Sequence, residues 1–312
     1  MSHDVDVRRV LIYLGLAFGI AWATSLVIYL TGGLGQSPML FPEAGVSLAL
    51  VLLAGPVMWA PAIAHGLTRL LTRERWERVS LRPQLRRAWP YWVAAWLLPG
   101  LLTIVGMAAY FLTFPHHYDA SLGLLREMLA AQLPEGAGLE ELNVWALAAV
   151  QVAQAILIAP ILNSVATFGE EFGWRGYLQP ELLGLGTRRA LLLTGATWGI
   201  WHWPVILMGY NYGFDYPGAP VLGPLAMVWF TVVVGTLLGW LTLRGESVWP
   251  AVIGHAALNG VAGLGIIFVR GDPNTLLGPT PVGLIGGIGF TVVAGAILMS
   301  VNGRPAADEG IG

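Results

Sequence analysis

The chain has no cysteine and no lysine, and only 11% of its 312 residues are charged. Without cysteine there is no disulfide framework, no thiolate nucleophile and no cysteine-based zinc site. So little charge, against 56% hydrophobic residues and a mean hydropathy of +0.67, excludes the surface of a water-soluble protein. A nucleophile elbow, a P-loop and a dinucleotide fingerprint are also missing, as are internal repeats and low-complexity tracts. The period-two alternation of barrel strands is absent too, which leaves membrane-spanning helices as the architecture for a chain this apolar.

What is present is a series of apolar runs, each long enough for the roughly 17 to 25 residues that cross a hydrocarbon core. They lie near 10–30, 46–71, 88–114, 144–168, 190–209, 221–243, 249–269 and 282–301. The expected fold is an all-α polytopic membrane helix bundle of about eight spans. It forms a single integral membrane domain over 1–312, with a motif-bearing core at about 144–269 and a disordered tail at 303–312. All sixteen basic residues are arginine, so orientation follows from where they fall. With a cytoplasmic amino terminus, fourteen lie in cytoplasmic segments and only Arg126 and Arg270 outside, a positive-inside bias that predicts both termini in the cytoplasm. The first run continues past "AWA" at 21–23 to Leu30, beyond the roughly 7 to 15 residues of a signal h-region, and reads as a retained helix. The loop 72–87 is basic and sets topology at the head groups. "DASLGLLREMLAAQL" has the spacing of a short helix on the membrane surface. GxxxG pairs at Gly15/Gly19, Gly195/Gly199, Gly235/Gly239 and Gly283/Gly287 read as close-packing sites between helices.

Ionisable groups inside spans cost about 2.5 to 3.5 kcal/mol each on insertion scales, so the few present call for a reason. They are His65, the group Glu170, Glu171 and Arg175, then His202, and His255 with the amide Asn259. If the fourth helix runs on to about Gln179, Glu171 lies one turn before Arg175 and gains a cationic neighbour, whereas Glu170 lies one turn from Trp174 in dry surroundings. Two carboxyl groups in unlike environments suggest two roles, one structural and one acid/base. In "TWGIWHWP", Trp198 stands one turn before His202, and Pro204 predicts a kink beside the imidazole. In "GHAALNG", His255 and Asn259 share one helical face. His65, alone on its helix, and the loop residues His116 and His117 read as structural. Three helices thus offer a carboxylate, a histidine, and a histidine with an amide. That set suits hydrolysis by water: Glu170 takes a proton, a histidine orients the water or protonates the leaving amine, and Asn259 donates to the oxyanion.

These motifs, Glu170-Glu171-x-x-x-Arg175, Trp198-x-x-x-His202 and His255-x-x-x-Asn259, resemble in order those of the CPBP (Abi) family. That family groups type II CAAX prenyl endopeptidases with bacteriocin-processing enzymes. The resemblance implies an intramembrane glutamate endopeptidase in which Glu170 activates water, His202, His255 and Asn259 complete the site, and Glu171 and Arg175 support it. It also implies a cavity open to the cytoplasm, the side on which the arginine count puts Glu170. Trp198 departs from the phenylalanine usual in the family, which bears on the pocket wall. No cofactor is expected; zinc on Glu170, His202 and His255 is the less favoured alternative.

The expected partners are the lipid bilayer and a peptide or membrane-protein substrate, with no nucleic acid. The expected location is the cell membrane. The lysine-free, arginine-rich composition looks prokaryotic, where prenylated substrates are unexpected and peptide precursors or membrane-inserted segments fit better. Two other readings compete. One is a non-proteolytic scaffold or bacteriocin-immunity protein that retains the site, and the other is a proton-coupled transporter.

Overall fold

The computed structural model describes residues 5–76, 80–131 and 143–301. The expected tail 303–312 and the last two residues of the expected surface helix therefore lie outside the described residues. The elements are α1 (Val7–Leu30), a short hairpin of β1 (Met39–Phe41) and β2 (Val46–Ser47), α2 (Leu48–Thr72), α3 (Leu85–Thr113) and α4 (Gly123–Ala130). Then come α5 (Val144–Leu157), α6 (Ala159–Leu185), α7 (Thr187–Trp201), α8 (Trp203–Leu207), α9 (Leu222–Gly245), α10 (Trp249–Phe268) and α11 (Ile288–Ser300). The fold is an all-α polytopic membrane bundle, and the hairpin is its one small departure among the described residues.

Caps set several starts. Asp6 accepts from the Arg9 amide, Ser47 from Leu50 and Asn143 from Ala146, each meeting one orphan donor of a first turn. Five helices are long and apolar enough to cross a membrane (α1, α2, α3, α9 and α10), and α5 with α6 makes a sixth if the bent pair is one span. The other two of the eight expected runs fall on shorter helices. The run 190–209 lies on α7 and α8, which part at His202. The run 282–301 becomes helical only from Ile288, because the preceding segment folds into a tight loop whose Gly286 backbone lies against Gly106 of α3.

The break between α5 and α6, bent by 45°, was not expected. Pro160 explains it: its ring clashes with the carbonyl four residues back, that of Ile156, and it cannot donate to it. The Ile156 carbonyl instead accepts a hydrogen bond from the Trp96 indole at 2.7 Å.

Helix α6 packs between α2 and α10. Asn163 and Thr167, one turn apart, donate to the carbonyls of Ala256 (3.2 Å) and Val252 (3.1 Å), also one turn apart on α10. This ladder fixes the register that puts Glu171 opposite His255. On the other side, a Cβ added to Gly173 would overlap Pro61 of α2. Gly173→Ala must therefore push α2 from the motif helix, and we expect it to lower stability by about 1–3 kcal/mol, read as an earlier thermal transition in detergent. Of the GxxxG pairs, Gly195/Gly199 seat α7 on α9, and Gly235/Gly239 make room for Arg175 and Gln179. Gly15/Gly19 meet nothing within 4 Å, and Gly283/Gly287 precede α11 in its loop.

Candidate active site

The segment after Glu171 does not continue as a regular α-helix. Residues Trp174–Leu178 form a π-turn, and the helix then runs through Pro180 to Leu185 rather than stopping near Gln179. The widened turn leaves the Phe172 carbonyl to His65 Nδ1, which donates to it at 2.9 Å, while Arg69 Nε donates to His65 Nε2 at 2.6 Å. His65 is thus tied to the back of the motif helix, in keeping with a structural reading. The π-turn also turns Trp174 away towards Tyr13 and Trp201, so it is not the indole beside Glu170.

That indole belongs to Trp198. Its Nε1 donates to Glu170 Oε2 at 2.7 Å, and both side chains are buried. The same residue organises its surroundings. Its ring lies 5.2 Å from the His255 ring and 5.6 Å from the His202 ring, and the Arg175 guanidinium sits 4.5 Å from its centroid. The tryptophan at this position therefore touches the Glu170 carboxylate directly and is more than a wall.

His202 sits at the break between α7 and α8, where Pro204 interrupts the helix as expected. Its amide turns to the Gly199 carbonyl, and the freed Trp198 carbonyl accepts from His202 Nδ1 at 2.8 Å. The Trp201 carbonyl, also released, accepts from the Trp22 indole at 3.1 Å. A carbonyl can only accept, so in neutral His202 the proton is on Nδ1 and Nε2 is the ring's free acceptor.

His255 is held the same way by a different partner. Its Nδ1 lies 2.9 Å from Glu171 Oε1, the oxygen that also accepts from Arg175 Nη1 at 2.8 Å. The expected Glu171–Arg175 pair is therefore present, and it orients an imidazole from another helix. In the neutral ring, donation to the carboxylate again leaves Nε2 as the acceptor.

Glu170, Trp198, His202, His255 and Asn259 line one cavity of about 290 Å³. Glu171 and Arg175 do not line it; they lie behind His255. Asn163, Tyr210 and Asn211 also line the cavity, as does Leu53 of α2, none of them among the residues that motif spacing singles out. Asn211 stands at a positive φ of 66°, which a spacing rule does not reveal. Among the described residues no group of three or more His, Cys, Asp or Glu side chains is placed to hold a metal ion.

The cavity has a direction within the bundle. Its lining extends from Glu170 towards Tyr210, Asn211, Ala262 and Val282, which lie at the end of the bundle opposite the arginine-rich segments. Helix α6 carries Glu170 towards the arginine-rich side, but the hollow in front of the carboxylate points the other way.

Comparison with known proteins bears on the same residues. Residues 145–261 match the family model described as type II CAAX prenyl endopeptidase Rce1-like. A relative named CAAX prenyl protease 2, from Methanococcus maripaludis, is 30% identical over 101 residues. That alignment covers 32% of this chain and spans 37% of the relative's length. The matched segment contains all three motifs, and over it the chain is similar to the Rce1-like branch of the family that those motifs resemble.

Proposed function

We propose that this chain is a membrane-embedded endopeptidase that hydrolyses a peptide bond with water activated by Glu170. The observation that carries this reading is one cavity lined by an acid, two imidazoles with Nε2 as their free acceptors, and a carboxamide. The similarity to a CAAX prenyl protease supports the same class of chemistry.

In this mechanism the Glu170 carboxylate oxygen not bonded to Trp198 takes a proton from water. A histidine Nε2 accepts the second hydrogen and aims the oxygen at the scissile carbonyl. The new C–O bond leaves an oxyanion, to which the Asn259 amide donates. As the C–N bond breaks, the proton held by Glu170 passes to the leaving amine. Glu171 and Arg175 act through His255 by holding its Nδ1–H. The substrates we assign are peptide precursors or membrane-inserted protein segments, met in the cell membrane.

The deciding test compares membrane peptides released by cells carrying the wild type and Glu170→Gln. Disappearance of specific fragments supports the reading. Unchanged fragments, or a biological effect kept by the variant, favour a scaffold or immunity role. A finer test concerns Trp198. Phenylalanine keeps the ring against Arg175 and both histidines but withdraws the donor from Glu170. A hydrogen bond to a charged group is worth about 1.5–3 kcal/mol, so kcat of Trp198→Phe should fall at least tenfold with KM nearly unchanged. A change confined to KM would assign the indole to substrate binding instead.

A further inference from the structure

Beyond the groups that do chemistry, the cavity in front of Glu170 is walled largely by apolar side chains, among them Leu53, Val57, Met58, Phe230 and Leu258. A peptide laid against such walls leaves its main-chain N–H and C=O groups unpaired, and a buried unpaired amide is costly. Partners for those groups have to come from the wall itself. Three neutral polar side chains that the mechanism does not use also line the cavity: Asn163 on α6, and Tyr210 and Asn211 in the loop after α8.

Asn163 stands two helical turns before Glu170, about 10 Å along the axis of α6. Its Nδ2 donates to the Ala256 carbonyl at 3.2 Å, which fixes the plane of the carboxamide. The other end, Oδ1, has no hydrogen-bond partner among the described residues, although Asn163 is part of the cavity wall. An acceptor set in an apolar wall calls for a donor.

Asn211 is held differently. The Tyr212 amide donates to the Tyr210 carbonyl at 2.8 Å, and with Asn211 at φ 66° the three residues make a γ-turn of the rare kind with positive φ. Tyr212 anchors it: its OH donates to the Val282 carbonyl at 3.0 Å, and its own carbonyl accepts from Thr275 Oγ1 at 2.8 Å. A strained turn tied down this firmly serves to present a side chain. That side chain is the Asn211 carboxamide, whose Nδ2 has among the described residues only the Met227 sulfur, at 3.8 Å, a weak acceptor that a carbonyl oxygen displaces.

We propose that Asn163 and Asn211 hold the main chain of an extended substrate, an inference that rests on the endopeptidase reading. Asn163 Oδ1 accepts from a peptide N–H, and Asn211 Nδ2 donates to a peptide carbonyl. An extended chain rises about 3.3 Å per residue, so the N–H taken by Asn163 lies about three residues from the bond cleaved at Glu170. A membrane-inserted helix has to unwind over that stretch before it fits, because its own hydrogen bonds occupy the same groups. Recognition then depends on an extended main chain more than on particular side chains.

The test measures binding apart from turnover. Full-length Glu170→Gln protein in detergent is titrated into a fluorescein-labelled peptide of alanine, leucine and valine, followed by anisotropy. The titration is repeated with copies in which one amide at a time is replaced by an ester, which removes that N–H. We expect affinity to fall about tenfold, on the order of one hydrogen bond, for the ester at one position and for added Asn163→Leu, with no further loss when the two are combined. Asn211→Gly keeps the left-handed backbone and removes the carboxamide, and should weaken binding by a similar factor. Esters that matter equally everywhere or nowhere overturn the proposal, as does an ester loss that persists in Asn163→Leu or an Asn211→Gly protein that binds like its parent. No binding of the peptide overturns it too, since main-chain recognition asks for no particular side chain. If Asn163→Leu does not fold, the ester scan against the parent decides alone. Cleavage of the peptide by Glu170→Gln, or binding without cleavage by the wild type, counts against the peptidase mechanism and leaves these contacts in place.

Discussion

We expect Glu170→Gln to lose cleavage while the bundle stays folded, with turnover down by about 100- to 10,000-fold, the contribution of a positioned general base. The reason lies in which oxygen does what. Oε2 accepts from the Trp198 indole at 2.7 Å, and a glutamine carbonyl oxygen can accept the same bond in the same volume. The side chain is buried, so keeping that acceptor keeps the donor satisfied and the packing intact. The amide, however, cannot take a proton from water near neutral pH. The thermal transition in detergent should therefore be unchanged while fragment release is lost. Glu170→Asp separates charge from placement. It restores a base but draws it back by about one methylene, and a misplacement on the order of 1 Å can cost about 100-fold. An aspartate variant at wild-type rate would mean that water is activated elsewhere. A glutamine variant at wild-type rate would remove Glu170 from the chemistry altogether.

The long helices were legible because each apolar run exceeds what a soluble helix needs, whereas caps such as Asp6 and Asn143 emerge only in the structure. The polar faces were legible too, since pitch alone aligns Glu171 with Arg175 and His255 with Asn259. Pitch fails where the helix is irregular. The π-turn at Trp174–Leu178 replaces Trp174 by Trp198 beside Glu170, and nothing in "EEFGWRGYLQ" announces an extra residue in the turn. Pro160 stands in the sequence as a visible break signal, but the continuous apolar run around it masked the bend it imposes. The partners of His255 and His202 were out of reach for another reason. They depend on the Asn163 and Thr167 ladder between α6 and α10 and on the broken turn at Pro204, both tertiary facts. The direction of the cavity likewise depends on which residues of separate helices meet around it, and composition carries no trace of that.

The same tertiary logic predicts that Glu171 holds two properties together that can be pulled apart. Its Oε1 serves Arg175 and His255 at once, and among the described residues it is the sole hydrogen-bond acceptor the guanidinium has: Arg175 Nε and Nη2 find none. Both side chains of the pair are fully buried. Glu171→Leu therefore strands a cation inside the bundle and should cost about 3–5 kcal/mol, read by denaturation in detergent. Adding Arg175→Met removes the stranded charge, and replacing both members of a buried pair by apolar groups is often neutral, so the double variant should regain most of the lost stability. Catalysis should not return with it. His255 Nδ1 then has no acceptor and its ring no fixed tautomer, which leaves turnover at least 100-fold down even in a well-folded protein. If turnover recovers together with stability, the carboxylate only neutralises Arg175, and His255 is positioned by the Trp198 ring instead.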